Sequence, residues 1–434
     1  MPRWITLVGL QTIVCLANIR AMPRREAVKL WKPATSPGFA LPDRVKRGAI
    51  ETMTVTEVNP EVNMNVTQLI TSKGYPCENY WLTTKDGYIL NMQRIPHRPF
   101  EEHVKKDRPV ALLLHGLFTS SAIYLLNRVK SSLGFLLADA GVDVWLGNSR
   151  GNIYSTNHTT LDPKQAAFWD FSWDEMAKYD LPAMVEFIIN KTGQKQIYYV
   201  GYSQGTTIGF AAFSQNADLA SKIRHFIALA PVGRVGKITS ALRSLLPYIS
   251  HVKRFFYLIG HGGIDISRDL SHNLASHVGH PLDQRLCEKL AYLLFGFNPS
   301  SFNRSRFDIY LAQMPAGTSV RNLLHWAQAA KDGEFQHFNW GTPEANLEKY
   351  GQTSPPQYYP RQIKLPIAIF RGGHDTLADP EDIDWLLPQI NVTHDISVEY
   401  FNHLDFVTGM DAPDKIYKQV ISIVANTSVE VRNN

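Results

Sequence analysis

The sequence predicts an α/β protein built on a mostly parallel, doubly wound sheet, with a helical subdomain inserted before the last strands. Three observations carry this. Short apolar runs bounded by Gly, Pro or polar turns recur at Val110 to Leu114, Val142 to Leu146, Ile197 to Val200, Phe226 to Ala230 and Ile367 to Phe370, as expected of strands covered on both faces. Helical stretches such as Ser131 to Ala140 and Asp174 to Ile189 lie between them, and alternation of strand and helix argues for a parallel sheet. The rhythm then breaks between Ala230 and Ile367, where aromatic residues, Leu, His and Gly abound and helical spacing recurs at Leu242, Leu245 and Leu246 and at Leu286, Leu290, Leu293 and Leu294. A structureless connection of that length is implausible, so an inserted subdomain is expected.

From the amino terminus, Arg3 precedes an apolar run from Trp4 to Ala17 that is too short to span a bilayer and ends in small residues. This reads as a signal peptide over residues 1–17, with cleavage as late as 21; the alternative is an uncleaved anchor. No later stretch is long and apolar enough to cross a membrane. Residues 22–47 are basic, contain proline and end in Arg44-Val45-Lys46-Arg47, the pattern of a pro-segment with a dibasic processing site or of an uncut basic arm. The α/β core is then expected over 60–232 and 351–427, and the helical insertion over 233–350. Within the core, Tyr88 to Ile95 alternates after the turn Lys85-Asp86-Gly87 and predicts a half-exposed hairpin strand, while Ile396 to Tyr400 predicts the last strand.

Composition excludes several classes. With 434 residues, 44% of them hydrophobic and 19% charged, the chain is globular rather than disordered or fibrous. The net charge of +5 is concentrated in residues 1–47, which hold nine Lys/Arg against two acids, so the remainder stands at −2. A near-neutral body lacks the footprint for phosphate-backbone binding, and no nucleic-acid partner is expected. After signal cleavage only Cys77 and Cys287 remain, paired or free, which excludes a disulfide-stapled scaffold. Six N-x-S/T sequons, at Asn65, Asn157, Asn190, Asn303, Asn391 and Asn426, agree with export and are candidate glycosylation sites.

The chemistry concentrates at Gly201-Tyr202-Ser203-Gln204-Gly205, directly after the strand Ile197 to Val200 and ahead of a helix over Thr206 to Phe213. A serine on so tight a turn needs glycines on both sides, because a neighbouring Cβ would strike the adjoining elements. A structural Gly-Ser turn is the alternative, and partner residues argue against it. His115-Gly116-Leu117 ends the strand Val110 to Leu114, so the Leu117 and Gln204 N–H groups can form an oxyanion hole. The acid and base should follow after later strands, in the order Ser, Asp, His. Asp375 stands just past the strand Ile367 to Phe370 and is favoured over Asp379, which precedes a proline and reads as a helix N-cap. His403 follows the last strand and is the base; His374 reads as a bystander. No ligand-spaced Cys/His cluster suggests a metal, and no cofactor is expected.

In order along the chain, GYPCENYWLTTKDGYIL (74–90), LLLHGLF (112–118), DVWLGNSRGNIYS (143–155), VGYSQGT (200–206), MPAGTSVRNLLHW (314–326), GGHDTLADP (372–380) and NHLDF (402–406) resemble the acid lipase family of the α/β-hydrolase fold, from about Val62 to Ile423. The resemblance implies Ser203, Asp375 and His403 as triad and Leu117 and Gln204 as oxyanion donors. It also implies that the insertion, from about Gly233 to about Tyr350, is a cap with a lid over a pocket for long acyl chains. Family members often carry a disulfide in this cap; Cys287 matches one of its positions, but no cysteine lies in the stretch before it, so that bridge cannot form here.

The residues predict two-step ester hydrolysis, and the resemblance implies neutral-lipid esters, triacylglycerols and cholesteryl esters, as substrates at an oil–water or lipid surface. The expected setting is the secretory pathway, extracellular or gut lumen or lysosome. The alternatives are an esterase for small soluble esters and a non-catalytic lipid-binding protein on the same fold. Nothing in the sequence indicates an oligomeric state.

Overall fold

The computed structural model describes residues 59–101, 107–264, 289 and 291–425. The leader 1–17, the basic segment 22–47, Cys287 and Asn426 lie outside the described residues.

The strands are β1 (Glu78–Thr83), β2 (Tyr88–Ile95), β3 (Val110–Leu114), β4 (Asp143–Gly147), β5 (Asn157–His158), β6 (Ile197–Tyr202), β7 (Ile223–Leu229), β8 (Gly263–Ile264), β9 (Thr318–Ser319), β10 (Ile367–Gly372) and β11 (Val392–Val398). The main sheet has the order β1-β2-β4-β3-β6-β7-β10-β11, β5 pairs beside β2, and β8 and β9 pair separately. From β4 to β11 every neighbouring pair is parallel. β2 runs antiparallel to β1 and β4, so the hairpin is an addition to one edge of a parallel sheet. β3, β4 and β6 are buried at every position, which explains why they read as apolar runs without alternation.

Two strands depart from the sequence expectation. β2, expected half-exposed, is buried at Asn91, Met92 and Gln93 and nowhere exposed. Its polar positions face a buried network instead of water: Gln93 Oε1 accepts from Ser121 Oγ at 2.7 Å and from Asn148 Nδ2 at 3.1 Å. Alternation reports the polarity of a face, and here that polarity is satisfied internally. β11 begins at Val392 rather than Ile396 and ends at Val398. It is the sheet edge, so Thr393, His394 and Asp395 are exposed and carry no apolar signal. Arg371 on β10 pairs with Asp395 at 2.9 Å, a charged rim of the kind that discourages edge-to-edge association.

The helix expected over Asp174 to Ile189 runs from Trp173 to Thr192 with a single π turn at Met176–Asp180. Pro182 follows that turn; it has no N–H for an i−4 partner, and the widened turn accommodates its ring. The helix stops at Gly193, whose φ of 73° only glycine takes readily.

Between β7 and β10 the chain leaves the main sheet. Its longer described helices there are Ala241–Tyr248, a 3₁₀ helix, followed by Ile249–Gly260, Phe307–Gln313, Val320–Asp332 and Pro343–Tyr350, with short 3₁₀ turns at Arg304–Arg306 and Pro360–Gln362. This segment returns to the core through backbone bonds: Ala316 N–H donates to Phe118 O at 2.7 Å, and Ile153 N–H donates to Ala316 O at 2.9 Å.

Candidate active site

Ser203 sits between β6 and the helix Gln204–Gln215 with φ 53° and ψ −120°, a strained conformation for a residue with a side chain. The glycines beside it leave room for the turn. A Cβ on Gly205 would overlap the Leu114 carbonyl oxygen, and one on Gly201 would lie 2.8 Å from the Gly205 carbonyl carbon. The expected helix over Thr206 to Phe213 thus begins at the residue after the serine.

His403 and Asp375 reach Ser203 from the loops after β11 and β10. His403 Nε2 lies 2.8 Å from Ser203 Oγ, and His403 Nδ1 lies 2.8 Å and 3.0 Å from the two carboxylate oxygens of Asp375. Facing a carboxylate, Nδ1 carries the proton and Nε2 keeps a lone pair for the serine hydroxyl. The carboxylate is itself held, since Asp375 Oδ1 accepts from Leu377 N–H at 2.9 Å and Ala378 N–H at 2.8 Å. Tyr202 OH donates to His403 O, and His403 N–H donates to Phe295 O, both at 3.0 Å, so His403 is held by the strand before the serine and by the segment between β7 and β10.

The two residues set aside in the sequence stand apart here. His374 is exposed, its Nδ1 3.2 Å from Phe297 O. Asp379 caps the helix Pro380–Leu386, accepting from Glu381 N–H at 3.1 Å.

Gly116 brings the end of β3 against the serine, because a Cβ there would come within 2.9 Å of Ser203 Cβ. Leu117 follows at the tip of a tight turn closed by Thr119 N–H on Gly116 O at 3.3 Å. Gln204 is the first residue of its helix, and its N–H has no intrahelical acceptor. Gly116 and Gln204 thus flank Ser203, the first by close approach across the sheet end and the second as its neighbour in the chain.

Sequence reasoning missed the supports around these groups. Gln204 Oε1 accepts from Asn322 Nδ2 at 2.8 Å and Trp326 Nε1 at 2.7 Å, both on the inserted helix Val320–Asp332. Asp405 is the other omission. Its Oδ2 accepts from Asn402 N–H at 2.7 Å and from Asn298 Nδ2 at 2.8 Å, while Asn402 Oδ1 accepts from Leu404 and Asp405 N–H, so the loop carrying His403 is locked at both ends. Burial pushes the Asp405 carboxyl up to about 7. The signal for that lock was the short polar residue at each end of Asn402-His403-Leu404-Asp405.

Asn157, Asn190 and Asn391 are exposed. Asn65 and Asn303 are partly exposed with engaged amides, Asn65 capping the helix Val66–Thr71 and Asn303 bonding Asn127 at 3.3 Å. Cys77 is a free thiol. No group of three or more His, Cys, Asp or Glu among the described residues could hold a metal ion.

A family model described as alpha/beta hydrolase fold matches residues 109–408, and one described as partial alpha/beta-hydrolase lipase region matches 66–128. Lysosomal acid lipase/cholesteryl ester hydrolase of Macaca fascicularis is 48% identical over 374 residues, covering 85% of this chain and 93% of that protein. The chain belongs to the acid lipase family. Gastric triacylglycerol lipase of Rattus norvegicus is 47% identical over 374 residues with the same coverage, and human lipase member K is 47% identical over 368 residues, covering 84% of this chain and 92% of its own. The fold is therefore the α/β-hydrolase fold and the protein a lipase, a carboxylic ester hydrolase of the secretory pathway. No described helix of this lipase is long and apolar enough to cross a membrane.

Proposed function

We propose that the lipase hydrolyses triacylglycerols and cholesteryl esters through an acyl-enzyme on Ser203, with His403 as base, Asp375 as its orienting acid and the N–H groups of Leu117 and Gln204 as oxyanion donors. The single observation that carries the reading is the unbroken hydrogen-bond chain Ser203 Oγ, His403 Nε2, His403 Nδ1, Asp375 carboxylate.

The steps follow from that chain. His403 Nε2 takes the Ser203 proton as Oγ bonds to the ester carbonyl carbon, and the carbonyl electron pair moves onto oxygen, where the two backbone donors meet it. Collapse of the tetrahedral adduct breaks the bond to the alkoxy oxygen, which leaves as alcohol with the proton from His403. Water then gives its proton to His403, attacks the acyl carbon and releases the fatty acid, restoring Ser203. Serine supplies the nucleophile, so the cycle calls for no metal or organic cofactor.

The neutral-lipid part rests on the relatives' names and on the surface of the inserted segment. Of the thirteen exposed large hydrophobic side chains among the described residues, eight lie between Leu242 and Phe297, including Leu258 at 74% and Phe297 at 63% exposure. Such a concentration suits contact with an oil or lipid surface, and residues 233–350 are then a cap with a lid. Residues 1–17 act as a signal peptide, 22–47 as a pro-segment and the exposed sequons as glycan sites.

The test compares turnover of emulsified trioleoylglycerol, cholesteryl oleate and a soluble butyrate ester, alongside fluorophosphonate labelling with peptide mapping. Label on Ser203 and faster turnover of the emulsified long-chain esters are expected. Preference for the soluble ester would overturn the lipid assignment, and label elsewhere would overturn the nucleophile.

A further inference from the structure

His115 follows β3 directly and takes no part in the proton chain, yet it is 3% exposed and bonded at both ring nitrogens. Ser149 N–H points at His115 Nε2 from 3.1 Å, and a backbone N–H can only donate. Nε2 is therefore the acceptor. Asn152 Nδ2 approaches the same nitrogen at 3.0 Å, and its orientation is set independently, since Asn152 Oδ1 accepts from Tyr154 N–H at 3.0 Å and Nδ2 donates to Asn148 Oδ1 at 2.9 Å. The proton is left on Nδ1, which donates to Gly116 O at 2.8 Å.

Gly116 O also accepts from Thr119 Oγ1 at 2.9 Å and Thr119 N–H at 3.3 Å. Three donors thus hold one carbonyl. The Gly116–Leu117 peptide is planar and trans, so fixing that carbonyl fixes the Leu117 N–H on the opposite side. The hold is needed at this point in the chain. Glycine imposes no dihedral preference of its own, and the turn continues through Phe118 at φ 58°, a conformation that surrounding contacts must maintain.

We propose that His115, with its tautomer fixed by Ser149 and Asn152, is the positioning residue that aims the Leu117 N–H at the oxyanion. Resting on the acyl-transfer reading above, this adds a group that touches neither substrate nor nucleophile. Burial presses the imidazole's pKa down to about 4, in keeping with a ring whose Nε2 faces two donors and has no place for a second proton.

The experiment measures kcat and KM of the purified full chain on a soluble butyrate ester, and the Ki of a trifluoromethyl ketone that forms a tetrahedral adduct with the serine. An oxyanion donor acts in the transition state, so His115→Phe is expected to lower kcat about 10- to 1000-fold, leave KM within about twofold, and raise the ketone Ki in parallel. His115→Asn places an amide nitrogen near the Nδ1 position and is expected to recover at least about tenfold of that loss, which a purely structural role would not require. If His115→Phe does not fold, Thr119→Val, lacking one donor to the same carbonyl, is expected to lower kcat about three- to tenfold at unchanged KM. Wild-type kcat in whichever of His115→Phe and Thr119→Val is measured, a loss confined to KM, or Asn no better than Phe overturns the proposal. Fluorophosphonate labelling of Ser203→Ala runs in parallel. Label retained there overturns the acyl-transfer reading and the inference with it, whereas label lost with an unimpaired His115→Phe overturns the inference alone.

Discussion

Replacing Asp405 by asparagine isolates the energetic consequence of burying an acid in the loop that carries His403. The carboxyl is 2% exposed, and burial raises its pKa from 3.8 to about 7. A raised folded-state value means that the folded protein holds the proton where the unfolded chain has lost it. The stabilisation is complete below pH 3.8, declines as pH rises, and is gone above about 7. At about 1.4 kcal/mol per unit, the total is about 4 kcal/mol. Asparagine keeps an oxygen for Asn402 N–H and for the Asn298 amide and has nothing to titrate. His115 acts in the opposite sense: its value falls from 6.5 to about 4, so its contribution grows with pH across that window, by about 3 kcal/mol. Subtracting one protein from the other cancels His115, which both carry. Chemical denaturation of the wild type and Asp405→Asn at pH 4, 5, 6 and 7.5 is expected to show the variant gaining on the wild type by about 4 kcal/mol from the lowest to the highest pH. Parallel stability curves, with a difference constant to within about 1 kcal/mol, would refute the buried-acid argument.

Ser203→Ala is expected to lower kcat on the order of a million-fold while leaving the far-UV spectrum and unfolding midpoint essentially unchanged, and undiminished turnover would contradict the triad. His403→Gln should fall to a similar level, whereas His374→Gln, altering an exposed ring, should retain most of the wild-type kcat; equal losses would show the base misassigned. Gly205→Ala drives a Cβ into the Leu114 carbonyl and is expected to cost about 1–3 kcal/mol of stability along with activity, both read from one preparation. Trp326→Phe removes one donor from Gln204 Oε1, and a loss of about 1 kcal/mol in unfolding free energy is the expected result.

What the sequence made legible was what local pattern encodes. β3 reads as a buried strand because both its faces are covered, and Ser203, Asp375 and His403, which the fold brings into one hydrogen-bonded chain, could be singled out because each follows a strand in a fixed order. Asn91 and Gln93 misled because alternation cannot distinguish a solvated face from a buried polar network. The first residues of β11 were invisible because an edge strand need not be apolar. Asn322 and Asn152 lay beyond reach for a different reason. The first meets Gln204 across 118 positions and the second meets His115 across 37, and no periodicity connects residues that only the folded topology brings together.

The bridge through Ala316 bears on attempts to trim or transplant this enzyme. Its amide and carbonyl splice the segment between β7 and β10 to the turn carrying Leu117 and to the loop after β4. Excising residues 233–350 to obtain a minimal esterase would therefore strip the Phe118 carbonyl and the Ile153 amide of their partners, one of them in the very turn that holds Gly116 against Ser203. A graft onto another hydrolase would need to carry both receiving loops with it.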